Sequence, residues 1–420
     1  SIFRVKQMEV ANKINQKFIE QAKFIARGTE ILPGGVLELA KKLEKAEKNN
    51  KPLRVKLGLD PTRPDLHLGH SVVMRKLKQF QDAGHKVVLI VGGATAMIGD
   101  PSGKSETRPS LSKEQVETNA KTYFEQMSKI VDIDKAEVHN NADWLHPMKL
   151  AELLKLASNV TVAQMMARDD FAKRYAEGKP ISVHEFFYPL LQAYDSVEID
   201  ADIELGGTDQ RFNVLMGREI QLAYGKEDPQ LVMLLPLIEG TDGLVKMSKT
   251  YPEHCISLTE DPNNMYGKLM SIPDSLILKY YELLTDIPTE KLNEIKSLLE
   301  KTSTNPRDIK MQLAYTITEL YNGADAAKKA QDNFVNVVQN KGIPDDIQSV
   351  ETEDGKMLVD VILDCGFVKS KGEAKRLIQG GGVKLDETKV SDIMQKIMFS
   401  TKNEVILQAG KRNFAKLLKK

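Results

Sequence analysis

Residues 53–93 read LRVKLGLDPTRPDLHLGHSVVMRKLKQFQDAGHKVVLIVGG. Leu53 to Leu59 is an apolar stretch that ends in Asp60-Pro61-Thr62, the pattern of a strand running into a loop. From His70 to Ala83, Val73, Leu77 and Phe80 recur at helical spacing, and Gly84 stops the helix. Lys86 to Val91 is a mostly β-branched run closed by Gly92-Gly93. Strand, helix, strand within about forty residues is a βαβ unit of an α/β fold that binds nucleotides.

The neighbouring segments extend this plan. Val36 to Asn49 has Leu37, Leu39 and Leu43 opposite a lysine-rich face and reads as a helix. Ser112 with Gln115 three places on is a capping box that opens a second helix, carrying Val116, Ala120, Tyr123, Met127 and Ile130 on one face. Helical patterns run from Leu150 to Tyr175, and Leu231 to Leu237 is strand-like. From Asn264 to Gln339 the pattern is helical, with Pro273, Pro288 and Pro306 marking starts and breaks. Residues 341–354 are polar and read as a linker. The expected fold is α/β: a Rossmann-type parallel-sheet domain over residues 1–238, a glycine-flanked loop region over 239–262, a helical domain over 263–340, a linker over 341–355 and a small α+β module over 356–420.

The 420 residues are 41% hydrophobic and balance 59 basic against 59 acidic side chains, so the whole chain has room for several cores and no net charge. The balance is uneven. Residues 356–420 hold 14 basic and 7 acidic side chains, an excess of seven that leaves the remainder seven negative. A basic tail on an acidic body suits phosphate contact at the tail, although a solvated charged surface has the same composition. Cys255 and Cys365 are the two cysteines, in no metal-ligand or disulfide pattern, and no apolar run reaches membrane-spanning length. A cytoplasmic protein with no metal site of its own is the expectation.

Two short motifs carry the chemistry. His67-Leu68-Gly69-His70 sits where the first strand hands over to its helix. Unpaired N–H groups at a helix N-terminus attract phosphate, two imidazoles there can donate to it as charge builds, and Gly69 admits a base close to the backbone. Lys246-Met247-Ser248-Lys249-Thr250 follows Asp242-Gly243, and two lysines three apart on such a loop can clamp a triphosphate and steady departing pyrophosphate. Either motif alone also fits an ordinary surface. In this order and spacing, the pair resembles the HIGH and KMSKS signatures of the class I aminoacyl-tRNA synthetases, with Leu68 for isoleucine and Thr250 for the final serine. Between them, Gly99-Asp100-Pro101-Ser102-Gly103-Lys104-Ser105 imitates a phosphate-binding P-loop, but its glycines are one residue too close.

Tyr188, Gln192 and Asp195 fall on one helical face inside an apolar run, and a polar stripe there needs partners. With Gly206-Gly207-Thr208-Asp209-Gln210 downstream, the pattern resembles the tyrosyl-tRNA synthetase family. The resemblance implies that Tyr188, Gln192 and Asp100 bind the substrate ammonium and that Asp195 accepts the phenol hydroxyl. It further implies that Gly207, Asp209 and Gln210 hold the ribose and the substrate near the reacting carboxylate, and that Asp60 and Thr62 meet the amino group or the phosphates. The related tryptophanyl enzymes usually read Gly-Glu-Asp-Gln and lack the pocket glutamine. Lys56 stands where many members carry a tyrosine that touches the phenol, and Arg211-Phe212 replaces Trp-Gly, which marks a separate branch.

The tail from Leu358 to Lys384 resembles a small RNA-binding module named after a ribosomal protein. Ser370 should cap its second helix, Gly380 to Gly382 should turn, and Lys371, Lys375 and Arg376 should face RNA. The resemblance implies ATP as substrate with Mg²⁺ on its phosphates, tyrosine and tRNA(Tyr) as partners, and a homodimer. Two other readings share parts of this pattern: a nucleotidyltransferase of the same superfamily, and an RNA-binding paralogue without activity.

Overall fold

The computed structural model describes residues 2–11, 13–59, 65–98, 111–339, 343–344 and 346–420. The chain divides into two compact units, Ser1–Ala327 and Lys328–Lys420. In the first, β1 (Glu30–Leu32), β2 (Arg54–Leu59), β3 (Lys86–Val91), β4 (Glu137–Asn140), β5 (Ile203–Gly207) and β6 (Leu231–Leu235) form one sheet in the order β1-β6-β5-β2-β3-β4. Every neighbouring pair is parallel except β1 against β6. Strands of a parallel sheet covered on both faces need nearly continuous apolar sequence, and VVLIV in β3 and LVMLL in β6 are buried throughout. Two charged residues break the rule. Lys56 in β2 and Glu204 in β5 stand opposite each other in register.

The chain places β3 and β4 on one side of β2, then returns to set β5 and β6 on the other. Growth of the sheet therefore reverses between β2 and β5. In open α/β sheets, ligands sit beyond the carboxyl ends of the strands at such a reversal. The helix Lys113–Met127 starts as its sequence requires, with Ser112 and Gln115 exchanging bonds of 3.2 and 2.9 Å. The helical part runs through Pro262–Met270, Ile277–Leu284, Thr289–Glu300, Pro306–Asn322 and Ala324–Phe334. Asp286, after the second of these, binds Arg75 at 2.6 Å and Gln79 at 2.9 Å, tying this region to the helix that follows β2.

In the second unit, β7 (Gln348–Thr352), β8 (Val383–Leu385), β9 (Thr388–Val390), β10 (Glu404–Ala409) and β11 (Asn413–Lys419) form a sheet in the order β7-β11-β10-β8-β9. The helices Leu358–Asp364 and Lys371–Gln379 contribute Leu358, Ile362, Ala374 and Ile378 to its core, beside Phe399, Leu407 and Leu417. The linker expected over 341–355 is thus corrected at 348–352, which form a strand running parallel to β11. QSVET offers Val350 as its one large apolar side chain, so periodicity carried no signal, and backbone pairing does the holding.

Candidate active site

His67 is the N-cap of the helix Leu68–Asp82, which begins two residues before the expected start. Its Nδ1 accepts from the Gly69 N–H at 3.0 Å, while His70 Nδ1 accepts from the His67 N–H at 3.1 Å. Two imidazoles thus make a reciprocal capping box. Because both Nδ1 atoms accept, Nε2 is the donor position of each ring in this arrangement. The ring centroids are 3.9 Å apart. A Cβ at position 69 would come within 2.7 Å of His67 Cε1, which is why glycine stands there.

The lysine-bearing loop is anchored on both sides. The Met247 N–H donates to Ile238 O at 2.7 Å and the Met247 side chain is buried, whereas Lys246 is exposed. Ser248 and Thr250 share a hydroxyl contact of 3.2 Å. Lys249 forms an ion pair with Asp65, two residues before His67. Downstream, the Leu68 N–H donates to Ile256 O and the Leu258 N–H to Leu66 O, both at 2.9 Å. The two motifs, remote in sequence, are therefore joined by backbone hydrogen bonds and an ion pair.

Beyond β5, Thr208–Gln210 makes one tight turn into the helix Arg211–Ala223, and Gln210 Oε1 accepts from Asn213 at 3.0 Å. A Cβ at Gly207 would meet Asp209 Oδ1 at 2.5 Å. The pocket helix, Phe187–Glu198, turns Tyr188, Gln192 and Asp195 to one side. Asp195 is 3% exposed; its Oδ1 accepts from Trp144 Nε1 at 2.8 Å and its Oδ2 from Asn141 Nδ2 at 3.1 Å. Burial pushes this carboxyl up to about 6, against the opposing pull of the Lys56 charge and the two N–H donors. Tyr188 is buried, and the buried Gln192 Oε1 has no hydrogen-bond partner among the described residues. A buried amide oxygen left in that condition suits a ligand N–H.

Asp60, Thr62, Asp100 and the run Gly99–Ser105 lie outside the described residues. Sequence reasoning missed Asn141, Trp144 and Glu204. Trp144 is the single tryptophan, but nothing in its spacing points to Asp195, 51 residues on. Glu204 was within reach, since one charge in each of two buried strands calls for a pair. Arg211 holds Glu30 through two contacts of 2.7 Å, and Phe212 packs in the apolar cluster behind the pocket helix. In the tail, Ser370 Oγ accepts from the Glu373 N–H at 3.1 Å, Lys371 pairs with Asp360 at 2.9 Å, and Lys375 and Arg376 are exposed. Among the described residues no group of His, Cys, Asp and Glu could hold a metal ion, and no helix is long and apolar enough to cross a membrane.

Residues 48–339 match the family of class I tRNA synthetases for tryptophan and tyrosine, and residues 339–417 match a tyrosine–tRNA ligase C-terminal domain. The sequence is 53% identical over 390 residues to the tyrosine–tRNA ligase of Thermotoga maritima, covering 92% of this chain and 96% of the relative. It is 50% identical over 405 residues to that of Carboxydothermus hydrogenoformans, covering 95% and 97%. The fold resembles a C-terminally truncated mitochondrial tyrosyl-tRNA synthetase from Aspergillus nidulans, with a TM-score of 0.63 at 22% identity over 77% of this chain and 95% of the other.

Proposed function

The chain belongs to the tyrosine–tRNA ligases of the class I tRNA synthetase family, and from that premise we infer that it activates tyrosine with ATP and passes the tyrosyl group to tRNA(Tyr). A tyrosine carboxylate oxygen attacks the α-phosphorus, the bond to the bridging oxygen breaks, and pyrophosphate leaves with the electron pair. A hydroxyl of the tRNA's terminal ribose then attacks the adenylate carbonyl and AMP leaves. Neither step needs a nucleophilic side chain, so the rate comes from positioning and charge stabilisation.

In the proposed assignment, His67 and His70 donate to the phosphates at the helix N-terminus and Lys246 and Lys249 steady pyrophosphate. Met247, Ser248 and Thr250 shape that loop, and Gly69 admits the base. Asp60, Thr62, Gly207, Asp209 and Gln210 hold the nucleotide and the reacting carboxylate. Tyr188, Gln192 and Asp100 take the ammonium, and Asp195 takes the phenol. ATP enters as its magnesium complex, the ion riding on phosphate oxygens. Lys371, Lys375 and Arg376 meet RNA, and the compartment in this reading is the cytoplasm.

The observation that supports this substrate is the pairing, on one helix face, of a buried carboxylate held by two N–H donors with an unsatisfied amide oxygen one turn away. Those are an acceptor for a phenol O–H and an acceptor for an ammonium. Pyrophosphate exchange into ATP is expected with tyrosine and is expected to be far weaker with tryptophan or phenylalanine. Stronger exchange with tryptophan would reassign the pocket, and no exchange with any of the three would favour an inactive RNA-binding paralogue.

The homodimer is proposed to form through the helices Leu150–Ala157, Val162–Met166 and Asp169–Ala176, which expose Leu150, Leu154, Val162 and Tyr175. Apolar side chains so grouped mark contact surfaces. Leu154→Glu combined with Val162→Glu is expected to convert a two-chain species to a one-chain species in sedimentation. A two-chain species that survives would locate the interface elsewhere.

A further inference from the structure

Under the pocket helix lies a charged cluster with no direct place in the scheme above. Lys56 and Glu204, 0% and 1% exposed, are 3.0 Å apart on adjacent strands. Lys56 Nζ also donates to Gln192 O at 2.9 Å and to Ser196 Oγ at 2.8 Å. Ser196 Oγ donates in turn to Glu204 Oε2 at 3.2 Å, and Gln230 Nε2 donates to the same oxygen at 2.6 Å. The helix Arg211–Ala223 passes over the cluster at Gly217, where a Cβ would meet Gln230 Nε2 at 2.6 Å and Glu204 Oε2 at 2.9 Å. A buried ion pair is weak evidence for stability, since apolar residues of the same volume often do as well. Its value is sought in what it holds, and it holds the pocket helix on both sides of Asp195.

We propose that Lys56, fixed by Glu204, is the positioning residue for phenol recognition: it anchors the pocket helix at Gln192 and Ser196, on either side of Asp195, so that a ring without a hydroxyl is refused. This rests on the reading of Asp195 as the phenol's acceptor. Asn141 and Trp144, from the segment after β4, donate to Asp195, with Thr95 behind Asn141, and the charges that act on it are those of Lys56 on β2 and Glu204 on β5. Burial and Glu204 favour the neutral carboxyl. Asn141 and Trp144 favour the charged form by hydrogen bonding, and Lys56 is the cation that does so by charge. With that charge removed, the carboxyl takes up its proton at higher pH.

The test is the pH dependence of tyrosine-driven pyrophosphate exchange in the full chain, for Lys56→Met and for Lys56→Met with Glu204→Gln. The double variant does not leave Glu204 buried as a charge without its cation, so it remains informative if the single variant does not fold. Near neutral pH, KM for tyrosine is expected to rise about tenfold with kcat within about threefold, and preference over phenylalanine to fall about tenfold. The acid limb of kcat/KM is expected to move to higher pH, by less in the double variant because Glu204 opposed Lys56. At alkaline pH, KM should return toward the parent value, which a merely structural role would not produce. Parallel profiles with an unmoved acid limb would overturn the proposal. Asp195→Asn run alongside separates the two readings. If it changes KM and discrimination while the Lys56 variants keep the parent profile, Lys56 alone is misassigned; if it changes neither, the acceptor reading has failed.

Discussion

Replacing His70 with alanine is expected to lower kcat for tyrosine-dependent pyrophosphate exchange about 100-fold or more, with KM for tyrosine moving less than about threefold. The geometry explains the split. His70 Nδ1 is occupied by the His67 N–H, so Nε2 is the ring's donor position, at the positive end of the helix Leu68–Asp82. A donor fixed there before reaction stabilises charge that grows in the transition state, and the tyrosine pocket is formed by other elements. Alanine also removes half of the capping box, a loss of about 1 kcal/mol in stability that a melting curve reports separately. His70→Asn, which retains an amide donor and a cap acceptor, is expected to recover part of the rate. Parent-like kcat in His70→Ala would remove the imidazole from the scheme.

Asp195→Ala is expected to lower kcat/KM for tyrosine by at least about 100-fold while leaving phenylalanine activation much less affected. The variant leaves the Trp144 and Asn141 N–H groups without their acceptor and gives the phenol nothing to donate to. Asp195→Asn supplies a second readout, with the sign fixed by linkage. The carboxyl titrates at about 6 when folded, above its ordinary 3.8. Its contribution to stability is complete below the unfolded value and is lost as pH rises through the folded one. The asparagine variant should therefore gain thermal stability relative to the parent as pH rises from about 4 to about 7.5. Lower activity with higher relative stability at neutral pH identifies a charge kept for recognition. Tyrosine selectivity unchanged by either substitution would end the phenol assignment.

Much of this arrangement was legible in residues 53–93. A β-branched run, a helix at the right spacing and a stop glycine decide a βαβ unit because each signal is local. HLGH and KMSKT were legible as types of residue in order, yet their hydrogen-bonded union through Leu66, Leu68, Ile256 and Leu258 depends on chain return and leaves no local mark. The same holds for Asp195 and Trp144. Strands β1 and β7 escaped for another reason. At three and five residues, they are too short for an alternating pattern to show, so periodicity says little about them. Lys56 read as a departure from a family pattern, and its meaning waited on Glu204, which only the register of β2 against β5 brings opposite.

The pairing of β7 with β11 bears on how the chain is made. A ribosome releases β7 before the rest of the tail, but its hydrogen-bonding neighbour is β11, which emerges after β8, β9 and β10. Long-range parallel pairing of this kind cannot begin until the intervening chain is out. The catalytic sheet, by contrast, has all six strands once Leu235 has been added. Domains generally fold in the order of their synthesis. The nascent protein thus acquires its amino-acid-activating unit first, and a translation product broken off before β11 would carry that unit with a tail unable to close.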